Sequence, residues 1–126
     1  MARNFPRARR VADQIQRELA DLIRSEINDP RISLLTITDV EVSRDLAHAK
    51  VFFSTLKAEE RAVATEVLTA ATGFLRAELG QRMRLRIVPQ LRFEYDDSIE
   101  RGMQMDALIE AARRDDQIKR GQDGDD

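Results

Sequence analysis

No cysteine occurs among the 126 residues, which excludes a disulfide framework, a cysteine-based zinc site and a thiol nucleophile and points to a reducing compartment. No apolar run approaches the roughly 20 residues that cross a bilayer. The start, Met1-Ala2-Arg3-Asn4-Phe5-Pro6-Arg7, lacks the apolar stretch of a secretory signal. The expectation is a cytoplasmic protein without a membrane segment. The 5 glycines are scattered, so neither type of glycine-rich phosphate loop is present. His48 is the single histidine, with no Ser, Cys or Asp at a catalytic spacing, and reads as a surface side chain. Asp96-Asp97 and Asp115-Asp116 are adjacent carboxylates that point apart on a strand or helix, so capping and solvation explain them better than a metal site. Aromatic residues make up only 5%, too few for an interleaved stacking platform. Phe52, in the polar phase of a strand, is open to stacking on a base or to lying partly covered. The reading is of no enzyme, no cofactor, no metal and no small-molecule substrate.

What is present is charge on a foldable core. Apolar residues reach 42% and charged residues 35%, which suits one soluble domain with a heavily charged surface. The net charge of −2 hides a split: residues 1–93 carry +4 and residues 94–126 carry −6. Of the 21 basic side chains, all but Lys50, Lys57 and Lys119 are arginine. The planar guanidinium suits phosphate and base-edge contacts better than an ammonium does, although a codon bias toward arginine gives the same count.

Hydrophobic periodicity orders the chain. From Arg7 to Asn28, Val11, Ile15, Leu19, Leu22, Ile23 and Ile27 form one stripe on an amphipathic helix that Asn28-Asp29-Pro30 should end. Leu34 to Val42 reads as a strand whose pleat shifts, with Leu35 and Ile37 in one phase and Val40 and Val42 in the other, so a bulge is expected near Thr38-Asp39. After a polar turn, Ala47, Ala49, Val51 and Phe53 should face the core from a second, antiparallel strand. Helical character runs from Ala58 to Ala71 and resumes from Phe74 to Arg82. Alternation from Arg84 to Tyr95 predicts a third strand, with Pro89 marking an edge or a bulge. Ser98 is a suitable N-cap for a last helix with a moderately apolar face of Ile99, Met103, Leu108, Ile109 and Ala112. The segment 117–126 has nothing to bury and is expected to be a disordered acidic tail.

Two features carry the functional reading. Arg3, Arg7, Arg9 and Arg10 cluster at the start of the first helix, and Arg76, Arg82, Arg84, Arg86 and Arg92 run from the second helical segment into the third strand. Arg84, Arg86 and Arg92 share one strand phase and would project from one side of a sheet, as a phosphate-binding stripe or as an ordinary solvated face. Ala71-Thr72-Gly73 interrupts a helix at a cost of roughly 1 kcal/mol for the glycine. It reads either as a plain helix–helix turn or as a break that offers free backbone N–H groups to an anion.

The order helix, strand, strand, interrupted helix, strand is that of a type II KH domain, an RNA-binding fold. The arginine-rich start of the first helix, the hairpin Val42 to Val51, the segment Arg82 to Leu91, and Asp96-Asp97-Ser98 followed by Gly102-Met103 resemble the bacterial ribosome-binding factor A family over about residues 5–115. That resemblance implies an α+β fold, α-β-β-α(kink)α-β with a three-stranded sheet plus a C-terminal helix. It divides the chain into a KH-like domain at 5–97, a helix at 98–116 and the tail at 117–126. It also implies a monomeric, non-catalytic factor that binds 16S rRNA within the free 30S small ribosomal subunit late in assembly, near the 5′-terminal helix of that RNA. The family replaces the Gly-x-x-Gly loop of other KH domains with an Ala-x-Gly kink, matched by Ala71, Thr72 and Gly73. The expected RNA face is therefore the kink with Arg76, Arg82, Arg84 and Arg86, together with Arg3, Arg7, Arg9 and Arg10. The alternative is a protein–protein adaptor acting through the acidic C-terminal helix.

Overall fold

The first amphipathic stripe folds as α1 (Pro6–Glu26), burying Ala8, Ala12, Ile15, Leu19, Leu22 and Ile23. The computed structural model describes residues 6–124. Pro6 opens the helix where its missing N–H costs nothing. After α1, Asp29 Oδ1 accepts the Arg31 backbone N–H at 2.9 Å and the Arg31 guanidinium closes on the same carboxylate at 3.0 and 2.8 Å. This turn redirects the chain toward the sheet.

Strands β1 (Leu35–Val42) and β2 (His48–Thr55) pair antiparallel, and the register slips between Ile37, opposite Phe53, and Asp39, opposite Phe52. Thr38 is the extra residue of a bulge, as the change of pleat phase predicts. Two side-chain hydrogen bonds fix it: Gln16 Nε2 donates to its carbonyl at 3.3 Å, and its hydroxyl donates to Asp96 Oδ2 at 2.7 Å. Beyond the bulge, Val40 and Val42 take over the core side from Ile37. Ala49, Val51 and Phe53 of β2 are buried as their alternation requires.

A short 3₁₀ turn (Ala58–Glu60) leads into α2 (Arg61–Ala70), and α3 (Thr72–Met83) follows after a single non-helical residue. Strand β3 (Gln90–Tyr95) then returns to pair in parallel with β2, giving the order β1-β2-β3. A parallel pair needs a long crossover, which α2 and α3 supply. Side chains from α1, α2 and α3 meet the same side of the sheet in one core that includes Leu68, Leu75, Leu79 and Phe53. The fold is α+β and KH-like, as the element order predicts.

Three boundaries differ from the sequence reading. Residues 84–89 are not strand: the alternation of Leu85 and Ile87 with arginines is real, but Arg84 caps α3 in the left-handed region (φ 51°, ψ 42°) and Pro89 cannot donate to a ladder. Arg84, Arg86 and Arg92 therefore do not form a stripe on one strand. Asp97, not Ser98, stands at the N-cap of α4 (Ser98–Gly124), since its carbonyl accepts the Arg101 N–H at 2.8 Å. That helix also continues past the expected boundary at 116. The chain divides into two compact units between Asp96 and Asp97. Within the second unit, Met103, Met105, Leu108 and Ile109 are exposed rather than buried.

The Arg31 guanidinium and backbone N–H hold the Asp29 carboxyl down to about 2 from the ordinary 3.8. Hydrogen bonds from Arg82 and then Arg24 likewise lower Asp21. Both pKa values are depressed on folding, so their stabilisation is full above the unfolded value and is lost as pH falls through the folded one. The urea midpoint should drop as pH is taken from about 4 to about 2, and Asp29→Asn should remove part of that drop.

Candidate nucleic-acid interface

The expected site residues divide into groups with different surroundings. Arg3 lies outside the described residues. Arg7 and Arg10 are exposed on the first turns of α1 and pair with no described carboxylate. Arg9 sits 3.9 Å from Asp13, both side chains more than half exposed, an arrangement worth little. Arg10, Arg17 and Arg24 recur every seventh residue, which on a helix places them in one row on the side away from the buried stripe. Arg17 is not among the expected site residues, and its heptad spacing from Arg10 is the signal that marks it. Arg24 in this row pairs with Asp21 at 3.2 Å.

At the junction of α2 and α3, Ala71 adopts φ −88°, ψ 0°, and no side chain caps the new helix. Two backbone bonds bridge the break, Ala71 N–H to the Val67 carbonyl at 3.0 Å and Leu75 N–H to the Ala71 carbonyl at 2.9 Å. Thr72 Oγ1 turns back to donate to the Leu68 carbonyl at 3.1 Å, so it does not cap the N–H groups of the first turn of α3. Gly73 is exposed, its φ is not positive, and a Cβ added there would meet open space. Among the described residues, nothing requires glycine at this position. What its absent side chain leaves is uncovered backbone at a helix start, beside Phe74, which is also exposed.

Arg76 and Arg82, both on α3, are engaged within the protein. The Arg76 guanidinium is partly buried and donates to the carbonyls of Val88 at 2.8 Å and Pro89 at 2.9 Å. It holds the connection to β3 rather than facing outward. The same Nη1 of Arg82 reaches Glu18 at 3.2 Å and Asp21 at 2.8 Å on α1, and these carboxylates raise the pKa of Arg82. This bridge brings the end of α3 against the flank of α1, beside Arg17 and Arg24.

Arg84, Arg86 and Arg92 are exposed and pair with no described carboxylate. Arg84 and Arg86 project from the loop 84–89. Arg92 lies on the outer side of β3, in register with Lys50, which itself pairs with Glu94 at 3.5 Å. Phe52, on this outer side of β2, is half-buried, with the Lys50 ammonium 5.9 Å from its ring centre. His48 is exposed there as well. Among the basic residues described above, the exposed arginines without a described carboxylate partner are Arg7, Arg10 and Arg17 on α1, Arg84 and Arg86 on the loop, and Arg92 on the sheet. Arg76 and Arg82 hold the first two groups in place.

A family model described as "Ribosome-binding factor A" matches residues 7–109. A ribosome-binding factor A from Thioalkalivibrio sulfidiphilus is 55% identical over 127 residues, covering 100% of this chain and 98% of that one. Another from Thiobacillus denitrificans is 56% identical over 117 residues, covering 92% and 94%. Among solved structures, the crystal structure of ribosome-binding factor A from Thermus thermophilus aligns with a TM-score of 0.61 at 33% identity, covering 70% of this chain and 94% of that one. Coordinates of the Thermus thermophilus factor fitted into a cryo-electron microscopy map of a 30S complex align with a TM-score of 0.60 at 34% identity, covering 68% and 91%.

Proposed function

This chain belongs to the ribosome-binding factor A family, and from that premise we propose that it binds 16S rRNA of the free 30S subunit and assists its late maturation, near the 5′-terminal helix, without catalysis. It leaves before translation begins and works as a cytoplasmic monomer. Two features at opposite ends of α3 support the reading: an uncovered helix start at Gly73, and exposed arginines with no described carboxylate partner, Arg84 and Arg86 above all. Guanidinium groups neutralise phosphates and release counterions, while the rigid domain reads local RNA shape. Binding then follows the folding stage of the RNA rather than a short sequence.

Gradient fractionation tests this directly. The protein should travel with free small subunits, be absent from translating ribosomes, and lose affinity steeply as salt rises. Arg84→Ala and Arg86→Ala should each flatten the slope of log affinity against log salt by about 1 while leaving thermal unfolding unchanged. Unchanged slopes would remove these two residues from the interface.

A second reading, an adaptor acting through α4, is favoured by the exposed Met103, Met105, Leu108 and Ile109. Digesting RNA in the same fractions separates the two: the adaptor stays bound to its protein partner, whereas the RNA-binding factor is released.

A further inference from the structure

The loop between α3 and β3 combines three properties: an exposed large apolar side chain, cations close to it in sequence with no described carboxylate partner, and a rigid mounting. Ile87 is 72% exposed, the highest value among the large apolar side chains described as exposed. Arg84 and Arg86 are exposed near it without a partner carboxylate.

The mounting is built from both ends. Arg76 donates to the carbonyls of Val88 and Pro89. Pro89 is fully buried, and Gln90 N–H bonds the Ala47 carbonyl at 2.8 Å. Val88 packs so closely on α3 that a Cβ at Gly80 would come within 2.9 Å of its Cγ2. On the other side, Leu85 N–H closes on the Gly80 carbonyl at 3.1 Å while Arg84 holds the left-handed conformation that glycine adopts more cheaply. Ile87 is therefore held out, not left loose.

We infer that Ile87 is an apolar contact that packs against an unstacked base of ribosomal RNA, with Arg84 and Arg86 fixing the adjoining phosphates. The chemistry favours RNA over a protein partner because cations around one apolar wedge match a splayed nucleotide, which offers a ring face and anionic oxygens together. A β-branched side chain loses little rotamer freedom when it is clamped. Such a contact discriminates single-stranded or bulged RNA from regular duplex, whose bases are stacked away. It rests on the RNA-binding reading above and adds to it the residue that senses whether a base is free.

The chain has no tryptophan, so the Ile87→Trp variant carries a single indole at the proposed contact. Titrating it with purified free small subunits should quench the indole emission. Ile87→Ala should weaken binding about tenfold, from apolar burial alone, while the salt slope stays at the wild-type value and the melting temperature is unchanged. A tenfold loss with an unquenched, blue-shifted indole would place Ile87 against ribosomal protein and overturn the RNA contact. Wild-type affinity for Ile87→Ala with no change in the indole would overturn the inference and leave the RNA-binding reading standing. Failure of the wild-type protein to bind the subunits would overturn both.

Discussion

Arg76→Ala should lower the free energy of unfolding by about 2–4 kcal/mol and weaken subunit binding at the same time. Each hydrogen bond from a charged donor contributes about 1.5–3 kcal/mol net, and removing the donor also leaves carbonyls without a partner. The bonds in question run from one guanidinium to Val88 and Pro89, across 12 and 13 residues of chain. Without them the loop 84–89 loses the clasp that fixes it to α3, so Arg84, Arg86 and Ile87 are no longer presented in one arrangement. Urea denaturation followed by co-sedimentation reads both effects. Arg76→Lys should recover less than half of the stability, since an ammonium keeps the charge but not the fork that reaches two carbonyls. If Arg76 instead contacted RNA directly, the alanine variant would keep wild-type stability and lose binding alone. That outcome would reverse its assignment as a positioning residue.

The other large effect lies in the core. Phe53→Ala should destabilise the fold by about 3–5 kcal/mol, a large share of the 5–15 kcal/mol typical of a whole domain. Phe53 is fully buried on the middle strand and meets the edge of Tyr95, with ring centres 5.6 Å apart and planes at 82°. The Arg61 guanidinium covers the Tyr95 ring at 4.9 Å. Removing the phenyl ring empties the centre of the sheet and also undercuts the contact by which the start of α2 rests on β3. The variant should unfold well below the wild-type temperature in a calorimetric scan. A loss under about 1 kcal/mol would mean that the neighbours collapse into the space.

Those two residues also mark the limits of reading this chain from its sequence. Phe53 is legible as core because alternation along β2 is local, and the bulge at Thr38 is legible because the apolar phase visibly changes there. Arg76 is not. An arginine that bonds to backbone carbonyls leaves no partner side chain to recognise, and its neighbours along the sequence suggest an RNA face instead. Arg82 escapes for a related reason, since Glu18 and Asp21 lie more than 60 residues away. The extended alternation of 84–88 imitates a strand, yet one left-handed residue at Arg84 and a proline five positions on convert it into a loop. Ile87, in the apolar phase of that alternation, thereby becomes one of the most exposed apolar side chains. The Ala71-Thr72-Gly73 break is legible as an interruption, while the internal bond that draws the Thr72 hydroxyl away from the helix start is not.

The mixed pairing of the sheet also bears on how the chain reaches its native state. The middle strand finds one neighbour across a tight turn and the other only after two intervening helices. The hairpin can close within microseconds, but the parallel ladder must wait for a long segment to be synthesised and to lose its freedom. Until Gln90–Tyr95 docks, one side of His48–Thr55 offers unsatisfied amides and carbonyls to any extended strand nearby. A nascent chain halted before that point is therefore exposed to aggregation, and the last strand acts as the closure that ends the risk.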